Sequence, residues 1–356
     1  MATHAHHVLL VGSQGELTAL EQMLVNDGWQ VIQSRTVVEA LERAKRDLPS
    51  AMVFRGAVPD GLSLAKKLRC SARTALLPMA IVGDASDGAR EELARWGVTS
   101  VFAPTVADRL VADAVRELAP LPPATQAPDS ELGRADRLSA LERSRLLDSP
   151  PEEPFDRLAH FVGQLLDVPV VLMSIVDRQR QFFKAQVGLP EPLSASRQTP
   201  ITHSFCQWVV TGDEALVVED ARRDLLLSAH PATTAMGIVA YAGVPIRVER
   251  NEIIGSFCAV DMKPRRWETS ELRVLDDVAT VVQGLTALRQ VAWLPPLTFN
   301  EFRDLAAASG RALESAIRLH EVGKGRVEAA EHQALLAIAS GLARDLTRAS
   351  ERPTHG

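Results

Sequence analysis

The sequence predicts an α/β doubly wound domain, then an α+β domain with an antiparallel sheet and flanking helices, then a C-terminal helical hairpin. Three observations carry this. Over residues 1–118 short apolar runs alternate five times with amphipathic stretches, which implies a parallel sheet covered by helices on both faces. Over 239–262, VAYAGVPIRVERNEIIGSFCAVDM, two β-rich apolar runs flank the polar turn ERN, the pattern of an antiparallel hairpin. Over 297–350 two Ala/Leu-rich amphipathic stretches flank the joint Gly323-Lys324-Gly325.

In the first region HVLLVG, WQVIQS, SAMVFRG, LPMAIVG and SVFAP read as strands, and the stretches between and after them as helices. The order and lengths resemble the response-regulator receiver family over nearly all of this region. That resemblance implies an acidic pair for Mg²⁺ after strand 1, an aspartate phosphoacceptor after strand 3, a hydroxyl after strand 4 and a lysine after strand 5. Here those positions fall on Gly12 and Ser13, Arg55, Gly83 and Ala103. A one-residue shift of the alignment does not restore all of these groups. The expectation is a pseudo-receiver that works by contact, its degenerate site non-functional. Asp60-Gly61 is expected to turn the chain after strand 3, and Ala103-Pro104 after strand 5. Arg55 reads either as a guanidinium pairing an acid such as Asp84 or binding an anion, or as a solvated loop-tip side chain. The resemblance also implies a docking or dimerisation face on helix 4, strand 5 and helix 5, with Trp96, Val98, Phe102 and Val106; Trp96 reads equally as a packed aromatic.

Residues 119–131 form a Pro-rich linker. From Glu131 a helix carries the stripe Leu132, Leu138, Leu141 and Leu146 and ends at LDSPPEE, and a second helix presents Leu158, Phe161, Val162, Leu165 and Leu166. VPVVLMSIVD and QFFKAQVG are strands joined by RQR; the helix HSFCQWVV, the strand ALVVEDA, a further helix, the hairpin and a long helix from Thr269 follow. Together with HSFCQWVVTG and ALVVEDARRD, the pattern Y-A-G-x-P from Tyr241 and the pattern G-x-x-C-x-x-D from Gly255 resemble the GAF small-molecule sensor family over 132–292. The resemblance implies a pocket between the sheet and short helices, with Phe183, His203, Phe205, Cys206, Asp220, Tyr241 and Cys258 as candidate lining residues. It implies an unidentified small-molecule ligand and no further cofactor; no metal site and no catalytic residue is assigned. The N-K-x-F-D-E pattern of cyclic-nucleotide GAF domains is absent, which argues against cyclic GMP or AMP.

His203 is read at a helix start, where the dipole lowers its pKa, either as a hydrogen-bonded cap or as a ligand contact. Cys206 and Cys258 read as small apolar core residues or as a redox or metal couple, which needs thiolate character and close approach.

A net charge of −6 lays down no global footprint for nucleic acid. The longest apolar run, VPVVLMSIV at 168–176, is too short to cross a bilayer, and MATHAHH does not have the layout of a signal peptide. Three cysteines without C-x-x-C spacing predict reduced thiols and a cytoplasmic location. The tail histidines His4, His6 and His7 read as a frayed terminus. At the C-terminus the stripes are Phe302, Leu305, Leu313 and Ile317, then Val327, Leu335, Ile338, Leu342 and Leu346. His320 lacks the neighbours of a phosphorelay histidine, and no output enzyme is expected. The reading is a non-enzymatic signalling adaptor. Its expected partners are a kinase or output regulator, met through the receiver-like face and the C-terminal helices, and a second copy of the chain in a homodimer. The alternatives are a thiol redox sensor or enzyme using Cys206 and Cys258, and a purely structural dimeric scaffold.

Overall fold

The computed structural model describes residues 6–118 and 125–291, with isolated residues between 311 and 341. The chain divides into two compact units between Ala124 and Thr125.

The first unit alternates β1 (His7–Val11), α1 (Gln14–Asn26), β2 (Gln30–Ser34), α2 (Val37–Asp47), β3 (Ala51–Arg55), α3 (Val58–Cys70), β4 (Met79–Val82), α4 (Asp87–Arg95), β5 (Ser100–Phe102) and α5 (Asp108–Glu117). All four strand pairings are parallel, in the order β2-β1-β3-β4-β5. This is the doubly wound, receiver-like order, with its switch point between β1 and β3. Successive side chains on a strand point to opposite faces. Leu9, Val11, Met52 and Phe54 therefore join Leu64 and Leu68 of α3 in one core, while Val8, Leu10 and Val53 join Leu20, Leu24, Val111 and Val115 of α1 and α5 in another. Thr36 caps α2 by accepting from the Glu39 N–H, and Ser86 caps α4 by accepting from that of Ala89.

Two expectations for this unit change. Asp60-Gly61 is no turn; it lies in the first turn of α3, and a Cβ at Gly61 would meet the Phe54 ring at 2.9 Å. Val98 lines no docking face, because it is wholly buried in the α3/α4 core. Trp96 packs on that core, and Phe102 and Val106 on the other.

The second unit runs α6 (Asp129–Leu132), α7 (Ala135–Ser144), α8 (Glu153–Leu166), β6 (Val170–Val176), β7 (Arg180–Val187), α9 (Leu193–Ser196), β8 (Gln198–Pro200), α10 (Cys206–Gly212), β9 (Leu216–Val218), α11 (Pro231–Thr234), β10 (Ala240–Arg247), β11 (Ile253–Asp261) and α12 (Thr269–Val291). Its antiparallel sheet has the order β8-β7-β6-β11-β10-β9. The hairpin β10/β11 turns through Glu249–Asn251, where Arg250 and Asn251 take the left-handed backbone the reversal needs. The helix expected from Glu131 is two helices broken at Gly133, and Leu146 lies beyond the end of the second.

One sheet face carries Val171, Met173, Ile175, Ala242, Val244, Phe257 and Ala259 against the apolar stripes of α7, α8 and α12. Lys184, skipped by the β6/β7 register, is wholly buried at that edge. Its ammonium donates to Ser149 Oγ at 2.7 Å, Pro150 O at 2.6 Å and Glu152 Oε1 at 2.5 Å, tying the LDSPPEE turn to the strand. The opposite face carries Phe183, Tyr241 and Cys258, with Phe205 and Cys206 at the start of α10 packed against it.

Of the expected C-terminal hairpin, Phe302, Leu305, Leu313, His320, Leu335, Leu342 and Leu346 lie outside the described residues. Ala312, Ala316, Leu319 and Ile338 are buried in the α12-side core, Ile317 is exposed, and Arg318 pairs with Asp277 of α12 at 2.6 Å. The described part of that segment thus covers apolar surface of its own chain. No helix among the described residues is long and apolar enough to cross a membrane.

Candidate functional site

In doubly wound folds the functional crevice lies past the carboxyl ends of the strands at the switch point. In the first unit Gly12, Ser13, Arg55, Gly83 and Ala103 all follow or end those strands. Arg55 fills the crevice. Its guanidinium donates to the Asp108 carboxylate at the start of α5 and to the Glu16 carbonyl of α1 at 2.6 Å, with the side chain 14% exposed. The acid is Asp108 rather than Asp84, and the arginine is not solvated at a loop tip. The hydroxyl position is closed at backbone level, since a Cβ on Gly83 would sit 2.5 Å from the Gly56 carbonyl. Among the described residues no group of three His, Cys, Asp or Glu side chains is placed to hold a metal ion.

In the second unit the residues that share the Ser174 side of the sheet follow from register, because directly paired positions project to one face. Ser174 pairs with Phe183 on one side and Ser256 on the other, and Cys258 pairs with Gly243, two residues from Tyr241 on the same strand. The chain's single tyrosine lies flat along its own strand, which explains Gly243: a Cβ there would be 2.2 Å from the phenol oxygen. The Tyr241 hydroxyl donates to Cys206 Sγ at 3.3 Å and lies 3.3 Å from Ser256 Oγ. Cys206 Sγ is 3.8 Å from Cys258 Sγ, and Phe205 meets Tyr241 edge to face at 5.5 Å between ring centres. Phe183, Phe205, Cys206, Tyr241 and Cys258 are each at most 2% exposed, so these five side chains form a filled layer.

Hydrogen bonds from the Cys258 thiol and from Tyr241 pull the Cys206 pKa down to about 7 against the opposing effect of burial. The Cys258 thiol is pushed well above its ordinary value by its bond to Cys206 and by burial. Ser174 Oγ is buried without a hydrogen-bond partner.

With this architecture in place, comparison with known proteins gives one family: the sequence profile of the GAF domain matches residues 150–283. That stretch is a GAF domain. A cyclic di-GMP phosphodiesterase of Pseudomonas aeruginosa is 31% identical over 130 residues, which are 36% of this chain and 21% of that protein. The chain thus spans about a fifth of the length of the curated relative it matches. The GAF domain of an Acinetobacter phosphoenolpyruvate-protein phosphotransferase is 17% identical with a TM-score of 0.33, covering 44% of this chain and 96% of that one. A CheY-like receiver domain protein of Methanospirillum hungatei is 19% identical with a TM-score of 0.30, covering 32% of this chain and 93% of that one. The receiver-like assignment of the first unit stands on its own strand order.

The GAF domain leaves two of the seven candidates outside the layer. Asp220 caps a short 3-10 turn and pairs with Arg222 at 2.8 Å, which holds its carboxyl below the usual range. His203 ends the 3-10 turn Ile201–His203 instead of opening α10, which begins at Cys206, and its ring lies 3.1 Å from Thr202 Oγ1. A surface cleft lined by Gln126, Asp129, Arg178, Gln179 and Ile201 includes none of the seven.

Two residues that pattern reading passed over bind the entry segment of this unit. Gln207 accepts from the Ala127 N–H at 2.7 Å and donates to the carbonyls of Thr125, Ile201 and Ser204 at 3.0, 2.9 and 2.8 Å. His230 sits 3.1 Å from the same Thr125 carbonyl through Nε2, accepts the Ala232 N–H through Nδ1, and packs on Phe205 at 5.0 Å. The signal available was a polar residue interrupting the apolar run in HSFCQWVV and a histidine just before Pro231, at a helix N-cap.

Proposed function

We propose that this chain is a non-enzymatic, cytoplasmic signalling adaptor, a pseudo-receiver joined to a GAF sensor with a helical C-terminal segment. The observation that carries the reading is Arg55 at the phosphoacceptor position, seated on Asp108 and the Glu16 carbonyl. A fixed cation there neutralises the Asp108 carboxylate and ties α1 and α5 to the end of β3 without a phosphoryl group. The GAF match and the similarity to a cyclic di-GMP phosphodiesterase of Pseudomonas aeruginosa support a place in signalling; the phosphodiesterase activity is a property of that protein.

The adaptor reading makes the pair a static lock and assigns transmission to changes in the GAF domain, by a small molecule or a protein partner that binds one conformer better than another. The partners proposed are a kinase or an output regulator, together with a second copy of this chain. The test is incubation of the purified protein with acetyl phosphate and Mg²⁺, read by intact mass. No phosphoryl adduct is expected, and Arg55→Asp alone is expected to gain none. An acid-labile adduct on residues 1–118 of the unaltered protein overturns the reading. Light scattering tests the homodimer, and a monomer at micromolar concentration removes it.

A further inference from the structure

The adaptor reading gives no work to the paired thiols. Cys206 opens α10 and Cys258 lies in β11, 52 residues apart in sequence, yet their sulfurs approach to 3.8 Å inside the buried layer. Beside Cys206, Gln207 grips Thr125 and Ala127 of the entry segment, and before it Phe205 packs on His230, which contacts the same Thr125 carbonyl. Cys206 and the residues that hold this entry strap therefore share the start of one short helix, while Cys258 faces it from β11.

We propose that Cys206 and Cys258 are a modification site, converted by a hydroperoxide into one disulfide, and that its closure shifts the first turn of α10 and loosens the strap at Thr125–Ala127. The Cys206 sulfur, as thiolate, attacks one oxygen of the hydroperoxide; the O–O bond breaks, the alcohol or water leaves with the proton given up by Cys206, and a sulfenic acid remains. The Cys258 sulfur then attacks the Cys206 sulfur, the S–O bond breaks, and the departing hydroxide takes the Cys258 proton as water. Two thiols lose two electrons in all, and one hydroperoxide gains them.

A disulfide holds its sulfurs about 2.05 Å apart, so one side must move by roughly 1.7 Å. β11 cannot readily follow, since it is hydrogen-bonded to β6 on one side and β10 on the other in the middle of the sheet. α10 has seven residues and is the element free to move. The Tyr241 hydroxyl, donating to Cys206 Sγ, marks that sulfur as the attacking one. Both thiols are buried, so the hydroperoxide reaches them through local opening of the short elements above the sheet.

The experiment treats the reduced full-length protein with hydrogen peroxide. Free thiols, counted after denaturation, are expected to fall from the three present to one, with a Cys206–Cys258 cross-linked peptide in the digest and Cys70 still reduced. Hydrogen exchange at Ala127 should accelerate in the oxidised form and return on treatment with dithiothreitol. Gln207→Ala should oxidise roughly tenfold faster, the effect of losing about one buried hydrogen bond from a local opening equilibrium. A constant count of three thiols, or a Cys206 sulfinic acid without the cross-link, overturns the modification site. A cross-link with unchanged exchange at Ala127 overturns the coupling to the strap. Neither result depends on whether the first unit accepts phosphate.

Discussion

His230 should make the stability of the GAF-containing unit depend on pH through one proton. Its ring is 1% exposed, accepts the Ala232 N–H through Nδ1 and faces the Thr125 carbonyl through Nε2, a pair of contacts that only the neutral ring with its proton on Nε2 satisfies. Burial, with a contribution from His203 and against the bond to Thr125, takes its pKa from 6.5 to about 4. Between those values the unfolded chain binds a proton that the folded chain refuses, so stability falls as pH falls from 6.5 toward 4. The gap corresponds to about 3 kcal/mol, nearly all of it retained at pH 7. His230→Asn keeps an acceptor for the Ala232 N–H and does not titrate. At pH 7 the variant should be less stable by about 1 to 2 kcal/mol, from the lost Thr125 contact and the lost packing on Phe205. That deficit should shrink on acidification and vanish or reverse near pH 4.5. Pulse proteolysis in urea, resolving the second unit by its fragments, measures both proteins along the pH series. Carboxylates such as Asp148, held low by Arg180, weaken in both proteins and cancel in the difference. A deficit that stays constant from pH 7 to 4.5 refutes the assignment of a buried neutral imidazole.

Arg55→Met should lower the stability of the first unit by about 1 to 3 kcal/mol, because Asp108 loses its partner in a site only 18% exposed; thermal unfolding checks this, and Arg55→Lys should rescue poorly, since one ammonium spans the two acceptors badly. Lys184→Ala should cost about 3 kcal/mol by emptying a buried site that satisfies Ser149, Pro150 and Glu152, while Lys184→Met should cost less because its side chain refills the space, Arg289 still pairing with Glu152 at 2.7 Å in both; urea midpoints of the two variants give the ranking. Gly243→Ala should destabilise the GAF domain by about 2 kcal/mol or more, because the phenol of Tyr241 must leave its seat, whereas Tyr241→Phe should cost about 1 kcal/mol through the lost bond to Cys206; equal losses in denaturation would contradict the steric account.

Both folds were legible in the sequence because each strand and helix announces its buried face through a local period. HVLLVG, SAMVFRG and LPMAIVG are continuous apolar runs, as strands covered on both faces must be, and ERN between two β-rich runs marks the β10/β11 reversal. The residues at the strand ends of the first unit were legible too, since position along a strand follows from counting. The helix from Glu131 was misread because its apolar stripe continues across Gly133, where the backbone breaks although the periodicity does not.

The sequence by itself therefore determined the order of the two folds, the β10/β11 hairpin, and which residues stand at the strand ends of the receiver-like crevice. Only the tertiary structure decided that Arg55 meets Asp108, 53 residues away, that Gln207 holds Ala127 from 80 residues on, that Gly243 makes room for its own strand's Tyr241, and that the sulfurs of Cys206 and Cys258 meet. Periodicity records which side of an element leaves water, because burial acts on each element separately. Which groups then meet depends on how the layers stack and on where loops return the chain, and no local pattern encodes either.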